Sequence, residues 1–208
     1  MQIDIRQEAG LDMALYGFSL SYKDRAVRPE DWWPFESQTE TELEHHPLYR
    51  EKDKRQERIC NAAKANAGRG KGHDKFLRQI MVWVDIEAPR YWWSEFDTYK
   101  VGTCAQSEST MHTLSKRDIT SEDFEGHFVE EDYLKYMNKY LRDYGTQSQK
   151  SLLPEAYLQR RLVTMNYAVL RCIIAQRKNH RLPEWQVFIS AIIDQVEHPE
   201  LLKDLISE

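Results

Sequence analysis

Residues 72–103 read GHDKFLRQIMVWVDIEAPRYWWSEFDTYKVGT, and this stretch decides the fold. Gln79 to Ile86 alternates and is rich in Val, Ile and Trp, the pattern of a half-buried strand. Ala88-Pro89 stops it. Proline suits the first turn of a helix, because its missing N–H has no intrahelical partner there anyway. The helix that follows carries Tyr91, Trp92, Trp93 and Phe96 and ends in the polar stretch Asp97-Thr98-Tyr99-Lys100. A small-residue tract then runs down to Thr110. A strand and helix that deliver a hydroxyl-rich, cation-bearing loop suit a phosphorylated ligand. Upstream, Gly68-Arg69-Gly70-Lys71-Gly72 is a flexible basic loop leading into His73.

Working outward, Gln2 to Arg6 alternates like an edge strand, and Leu11 to Tyr22 is ambiguous between helix and strand. Residues 29–50 read as a long loop holding Trp32-Trp33-Pro34-Phe35 and many acidic residues. Glu51 to Ala67 has the composition of a strong helix. Glu130 to Tyr144 sets Tyr133, Tyr136, Met137, Tyr140, Leu141 and Tyr144 at helical spacing, a stripe expected in the core or at a subunit contact. Leu158 to Gln176 is largely apolar and reads as a buried helix or a strand running into one. Pro183 opens an amphipathic helix through Val196, and Pro199 starts a terminal turn. Nothing marks a repeat or a linker, so one domain is expected over residues 1–208.

Composition narrows the function. Hydrophobic residues are 41% and charged residues 30%, ordinary for a globular chain of 208 residues. A net charge of -5 argues against nonspecific nucleic-acid binding, which shows as a basic excess. It leaves room for a small nucleotide in a local basic pocket. No apolar run approaches a membrane span and MQIDIRQEAG is no signal peptide, so a cytoplasmic location is expected. Cys60, Cys104 and Cys172 are odd in number and lack CxxC pairing, as reduced thiols do. The Gly68–Gly72 loop lacks Walker spacing. His45-His46 with Glu42 and Glu44 is too generic to predict a metal. No Ser or Cys sits in a nucleophile turn, and no residue is assigned a catalytic role.

The blocks at 72–113 and 147–196 resemble the flavin-dependent thymidylate synthases (the ThyX family). Gly72-His73 falls on that family's Gly-His, Glu87-Ala88-Pro89 on its Ala-Pro helix start, and Thr98-Tyr99-Lys100 on its Arg-His-Arg signature. A second ungapped block, QSQKSLLPEAYLQRRLVTMN from Gln147 to Asn166, includes the Leu-Pro and the Thr-x-Asn. The resemblance implies an α+β fold, a central and mostly antiparallel sheet with helices packed over it. It also implies a homotetramer with ligand sites at subunit interfaces. The candidate ligand-binding residues are then His73, Tyr99, Lys100, Thr103, Ser107, Ser109, Lys150, Arg160, Asn166 and Arg177. Each has a bland alternative. An Arg or Lys on a helix is usually solvated, Ser and Thr usually satisfy local backbone, and His73 reads equally as a cap.

The departures from the family pattern carry as much information. Thr98 and Tyr99 stand at the Arg and His of the signature, and Ala168 at another Arg. Met111 and Phe188 stand at arginines associated with the substrate nucleotide, and Lys150 at an Arg before Leu-Pro. Arg to Lys keeps charge but loses the bidentate fork, and Arg to Met or Phe loses both. Each lost charge-assisted bond is worth about 1.5–3 kcal/mol. FAD is the cofactor the resemblance implies, and the missing cations argue against its retention. The pattern therefore favours a nucleotide-like phosphorylated ligand that is sensed, sequestered or modified without thymidylate synthesis. The alternative is an active synthase that methylates dUMP with methylenetetrahydrofolate and NADPH.

Overall fold

A computed structural model of the chain describes residues 1–22, 47–127 and 129–205. The acidic, Trp-rich stretch up to residue 46, with His45-His46, lies outside them. Strand β1 (Gln2–Ala9) leads into helix α1 (Leu11–Ser19), which resolves the ambiguous segment as helix. Helix α2 (Pro47–Asn66) begins at the proline, so residues 47–50 are helical and not the end of a loop. The deciding stretch gives β2 (Met81–Pro89) and α3 (Arg90–Phe96). The strand begins two residues later than its alternation suggests, because Lys75–Arg78 winds a 3₁₀ turn that buries Phe76 and Leu77.

The small-residue tract is the main surprise. Thr103–Ser107 is strand β3 rather than loop, and Thr110–Thr113 is the short helix α4. Helices α5 (Glu131–Tyr144) and α6 (Thr146–Leu152) precede β4 (Leu158–Asn166), α7 (Tyr167–Arg177) and α8 (Pro183–Gln195). The sheet order is β1-β2-β4-β3, and every neighbouring pair is antiparallel. The architecture is α+β, as expected.

One sheet face carries Ile3, Val82, Val84, Ile86, Val163 and Met165, buried beneath α3, α7 and α8. Trp92 anchors this core, with ring centroids 5.0 Å from Phe96, 4.8 Å from Trp185 and 5.6 Å from Phe188. Trp92 and Trp93 are thus core residues of a single protomer, and they present no surface to a second subunit. The other face presents Asp85, Arg160 and Leu162, with Cys104 and Gln106 exposed beside them.

A second cluster sits past the start of β4, made of Leu114, Ile119, Phe124, Met137, Leu153 and Tyr157. Buried Asn138 clamps it, accepting from Ile119 N at 2.8 Å and donating to Ile119 O at 2.9 Å. Met137 is the residue that α5 buries here. The tyrosine stripe faces outward instead, with Tyr136 at 52% and Tyr144 at 65% exposure, so it is not core. Tyr136, Tyr140 and Tyr144 stack along the helix at 5.8 and 4.6 Å.

Candidate functional site

All the candidate residues except His73 collect at the two ends of β3, a strand about 14 Å long at the usual rise per residue. At its N-terminal end, α3 gives way to a tight turn through Tyr99, Lys100 and Gly102. Gly102 has φ +81°, and a Cβ there would lie 2.8 Å from Val169 of α7. Glycine lets this turn approach the start of α7, where Asn166 caps the helix by accepting from Val169 N at 3.0 Å. The Asn166 side-chain amide NH₂ has no hydrogen-bond partner among the described residues. Thr103 Oγ donates to the Tyr99 carbonyl, closing the turn.

Much of this corner is occupied by the protein itself. Arg177 Nη1 lies 2.9 Å from Glu95 Oε2, and its Nε donates to the Tyr99 hydroxyl at 2.8 Å. The guanidinium lies 4.7 Å from the Trp185 ring centre, and Trp185 Nε1 donates to the same Glu95 oxygen at 2.9 Å. Tyr99 in turn donates to Gln176 Oε1 at 3.0 Å. Two of the candidate residues, Tyr99 and Arg177, are therefore held in a closed polar network. Lys100 beside them is exposed and has no ion-pair partner among the described residues.

At the other end of β3, Ser107 pairs with Arg161 across the ladder, and Glu108 N donates to Arg160 O at 3.0 Å. The Ser107 and Ser109 hydroxyls have no partner among the described residues. Lys150, on α6, is likewise exposed and without an ion-pair partner among them. Arg160 differs, because its fork grips Asp85 at 2.8 and 2.6 Å while Arg6 reaches the same carboxylate at 2.9 Å. These bonds, Arg160 foremost, pull the Asp85 pKa down to about 2. His73 stands apart from both ends. It lines a recess of about 330 Å³ with Gly17, Phe18, Asn66 and Phe76, to which no residue of β3 or β4 contributes.

Sequence reasoning missed a recess of about 340 Å³ beside Ser109, walled by Glu87, Glu108, Lys116, Arg117, Asp123 and Tyr157 among others. Burial, with the charges of Glu87 and Asp123 behind it, raises the Glu108 pKa. Burial and the same kind of acidic surroundings push Tyr157 up to about 12. Arg117 is engaged with Asp123 at 2.7 Å. The one available signal was Lys116-Arg117 following the small-residue tract. The acids come from distant elements and announce nothing locally.

Three arginine positions of the resembling family deserve the same test. Phe188 is fully buried in the aromatic core, and Ala168 is half-buried at the start of α7. Met111 is 40% exposed on α4. None of the three offers a charge.

The fold so described, a four-stranded antiparallel sheet with helices packed on one face, is shared with solved flavin-dependent thymidylate synthases. A crystal structure of thymidylate synthase X (ThyX) from Helicobacter pylori with FAD and dUMP matches all of this chain and all of its own, at TM-score 0.68 and 16% identity. A second structure from the same organism, also complexed with FAD and dUMP, matches 99% of each chain at TM-score 0.66 and 17% identity. No protein-family model matches the chain, and none of the curated proteins does. Identity this low establishes the fold and leaves the chemistry to the residues. Among the described residues, no helix is long and apolar enough to cross a membrane.

Proposed function

We propose that this chain binds a nucleotide-like, phosphorylated small molecule in a cleft completed by a neighbouring subunit of a homotetramer, and that it senses, sequesters or modifies that ligand without making thymidylate. The observation that carries the reading is the state of the four candidate cations. Arg160 and Arg177 are already engaged by Asp85 and Glu95, whereas Lys100 and Lys150 stand exposed and unpaired among the described residues. Uncommitted cations flanking a strand edge with free hydroxyls suit a phosphate, which needs charge and hydrogen-bond donors together. Ser107, Ser109 and the Asn166 amide supply neutral donors for sugar or base. Because Lys100 and Lys150 belong to opposite ends of the β3 region, one ligand meeting both fits a cleft between protomers. The outward Tyr136–Tyr144 stack is the aromatic surface such an assembly would cover.

The residues present do not fit FAD. Thr98 Oγ is spent on the Glu95 carbonyl at 2.7 Å, Tyr99 is tied to Gln176 and Arg177, and Ala168 carries no donor. Only Lys100 of these matched positions offers charge to a pyrophosphate. A working synthase remains the second reading, favoured by the end-to-end match to structures crystallised with FAD and dUMP. Purified protein with no flavin absorbance and no NADPH oxidation on addition of dUMP is the expected result. A stoichiometric flavin band would promote the synthase instead.

Binding is tested by calorimetric titration with a panel of nucleoside monophosphates. Lys100→Ala or Lys150→Ala should weaken the best ligand about ten-fold, equivalent to about 1.4 kcal/mol. Lys54→Ala, on the exposed face of α2, should leave it unchanged. Equal affinity in all three variants would put the site elsewhere.

A further inference from the structure

The two ends of the chain meet at a group of donors that no candidate ligand residue touches. Glu8, near the end of β1, has a side chain only 3% exposed. Among the described residues, no Lys or Arg lies within ion-pair distance of it, and only His198 does. A buried carboxylate without a fixed counter-charge is costly, and proteins relieve it by pairing or by a metal ion. His198 and Glu197 follow α8, and one donor atom from each of Glu8, Glu197 and His198 lies within 4.8 Å of the others. His198 Nε2 is 3.8 Å from Glu8 Oε1.

The surroundings hold Glu8 and His198 in place, while the Glu197 side chain is exposed and uncommitted. Fully buried Tyr167 donates to Glu8 Oε1 at 2.7 Å and accepts from His198 N at 3.3 Å, so one hydroxyl sets both. Glu197 N holds the other Glu8 oxygen at 2.9 Å. The far nitrogen of His198, Nδ1, lies 3.9 Å from Glu200 Oε1, so a further carboxylate sits near the ring without a hydrogen bond to it. An imidazole with two carboxylates matches a borderline divalent ion in charge and donor type, where calcium or magnesium would take oxygen alone.

We propose that Glu8, Glu197 and His198 form a binding site for a divalent transition-metal ion of the zinc class, cross-linking β1 to the segment after α8. This site is independent of the nucleotide reading. Its bland rival is a protonated His198 that simply pairs with Glu8.

The test is calorimetry and thermal melting of the full chain, stripped with chelator and titrated with Zn²⁺. The wild type should take one equivalent per chain, with a melting temperature that rises with zinc concentration. Glu197→Gln and His198→Ala should each weaken binding about ten-fold or more. The Glu197 carboxylate makes no hydrogen bond among the described residues, so Glu197→Gln keeps the fold even if His198→Ala does not. Absence of zinc binding by the wild type would overturn the proposal in favour of the plain ion pair. Undiminished binding in both variants would overturn it too, placing the metal on other donors such as His45-His46 or the thiols.

Discussion

The two ends of β3 treat similar residues in opposite ways. At one, Glu95, Tyr99, Arg177 and Trp185 have closed on each other, so a guanidinium at a family position serves the packing of α3 against α7 and α8. At the other, Ser107, Ser109 and Lys150 are left open. Lys100, which is exposed, and the Asn166 amide are the exceptions at the closed corner, both unpaired among the described residues. A charge satisfied inside the protomer is costly to withdraw for a ligand, and an unpaired one is already available. Ligand affinity should therefore follow the lysines, and stability should follow the closed corner.

The largest effect should come from Trp185→Ala. It removes the ring shared by Trp92, Phe96, Tyr99 and Phe188, and the donor to Glu95 with it. Losses of about 3–5 kcal/mol are expected for a buried aromatic of this size, read by chemical denaturation. A loss below about 1 kcal/mol would show that the corner is not the core it resembles.

Next comes Arg177→Met, which keeps the stem but leaves the Glu95 carboxylate without its guanidinium. Both partners are partly exposed, so a cost of about 1–3 kcal/mol is expected, below that of a fully buried pair. Lys100→Ala and Lys150→Ala should do the reverse, leaving the melting temperature unchanged while weakening the ligand. If Arg177→Met weakened the ligand at constant stability, the contrast between the two ends would collapse.

The smallest effect is one of pH. Asp85 has a pKa of about 2 in the folded chain, held there by Arg160 and Arg6, against about 3.9 when unfolded. Its contribution is fully present above about pH 4 and is lost as pH falls toward 2. Asp85→Asn should flatten the acid limb of a stability–pH profile in that window. A limb identical to the wild type would mean that the pair adds nothing.

What was legible in the sequence was whatever local pattern controls. Val82, Val84 and Ile86 alternate, and Pro89 marks the turn into α3, so the central strand and its helix could be read directly. Strand β3 could not. Thr103-Cys104-Ala105-Gln106-Ser107 has no apolar alternation, and only the ladder with β4 makes it a strand. The candidate cations were legible as residues and not as states. Arg160 finds Asp85 across 75 positions and Arg177 finds Glu95 across 82, and no local window contains either pair. The outward turn of the tyrosine stripe was hidden for a similar reason, since helical spacing reveals a face without saying what it meets.

The most direct measurement is native mass spectrometry of the purified chain beside its Lys100→Ala/Lys150→Ala double variant. The wild type should be a tetramer carrying a phosphorus-containing small molecule other than FAD, and the double variant the same tetramer without it. A ligand-free monomer, or an adduct retained in full by the double variant, would contradict this reading.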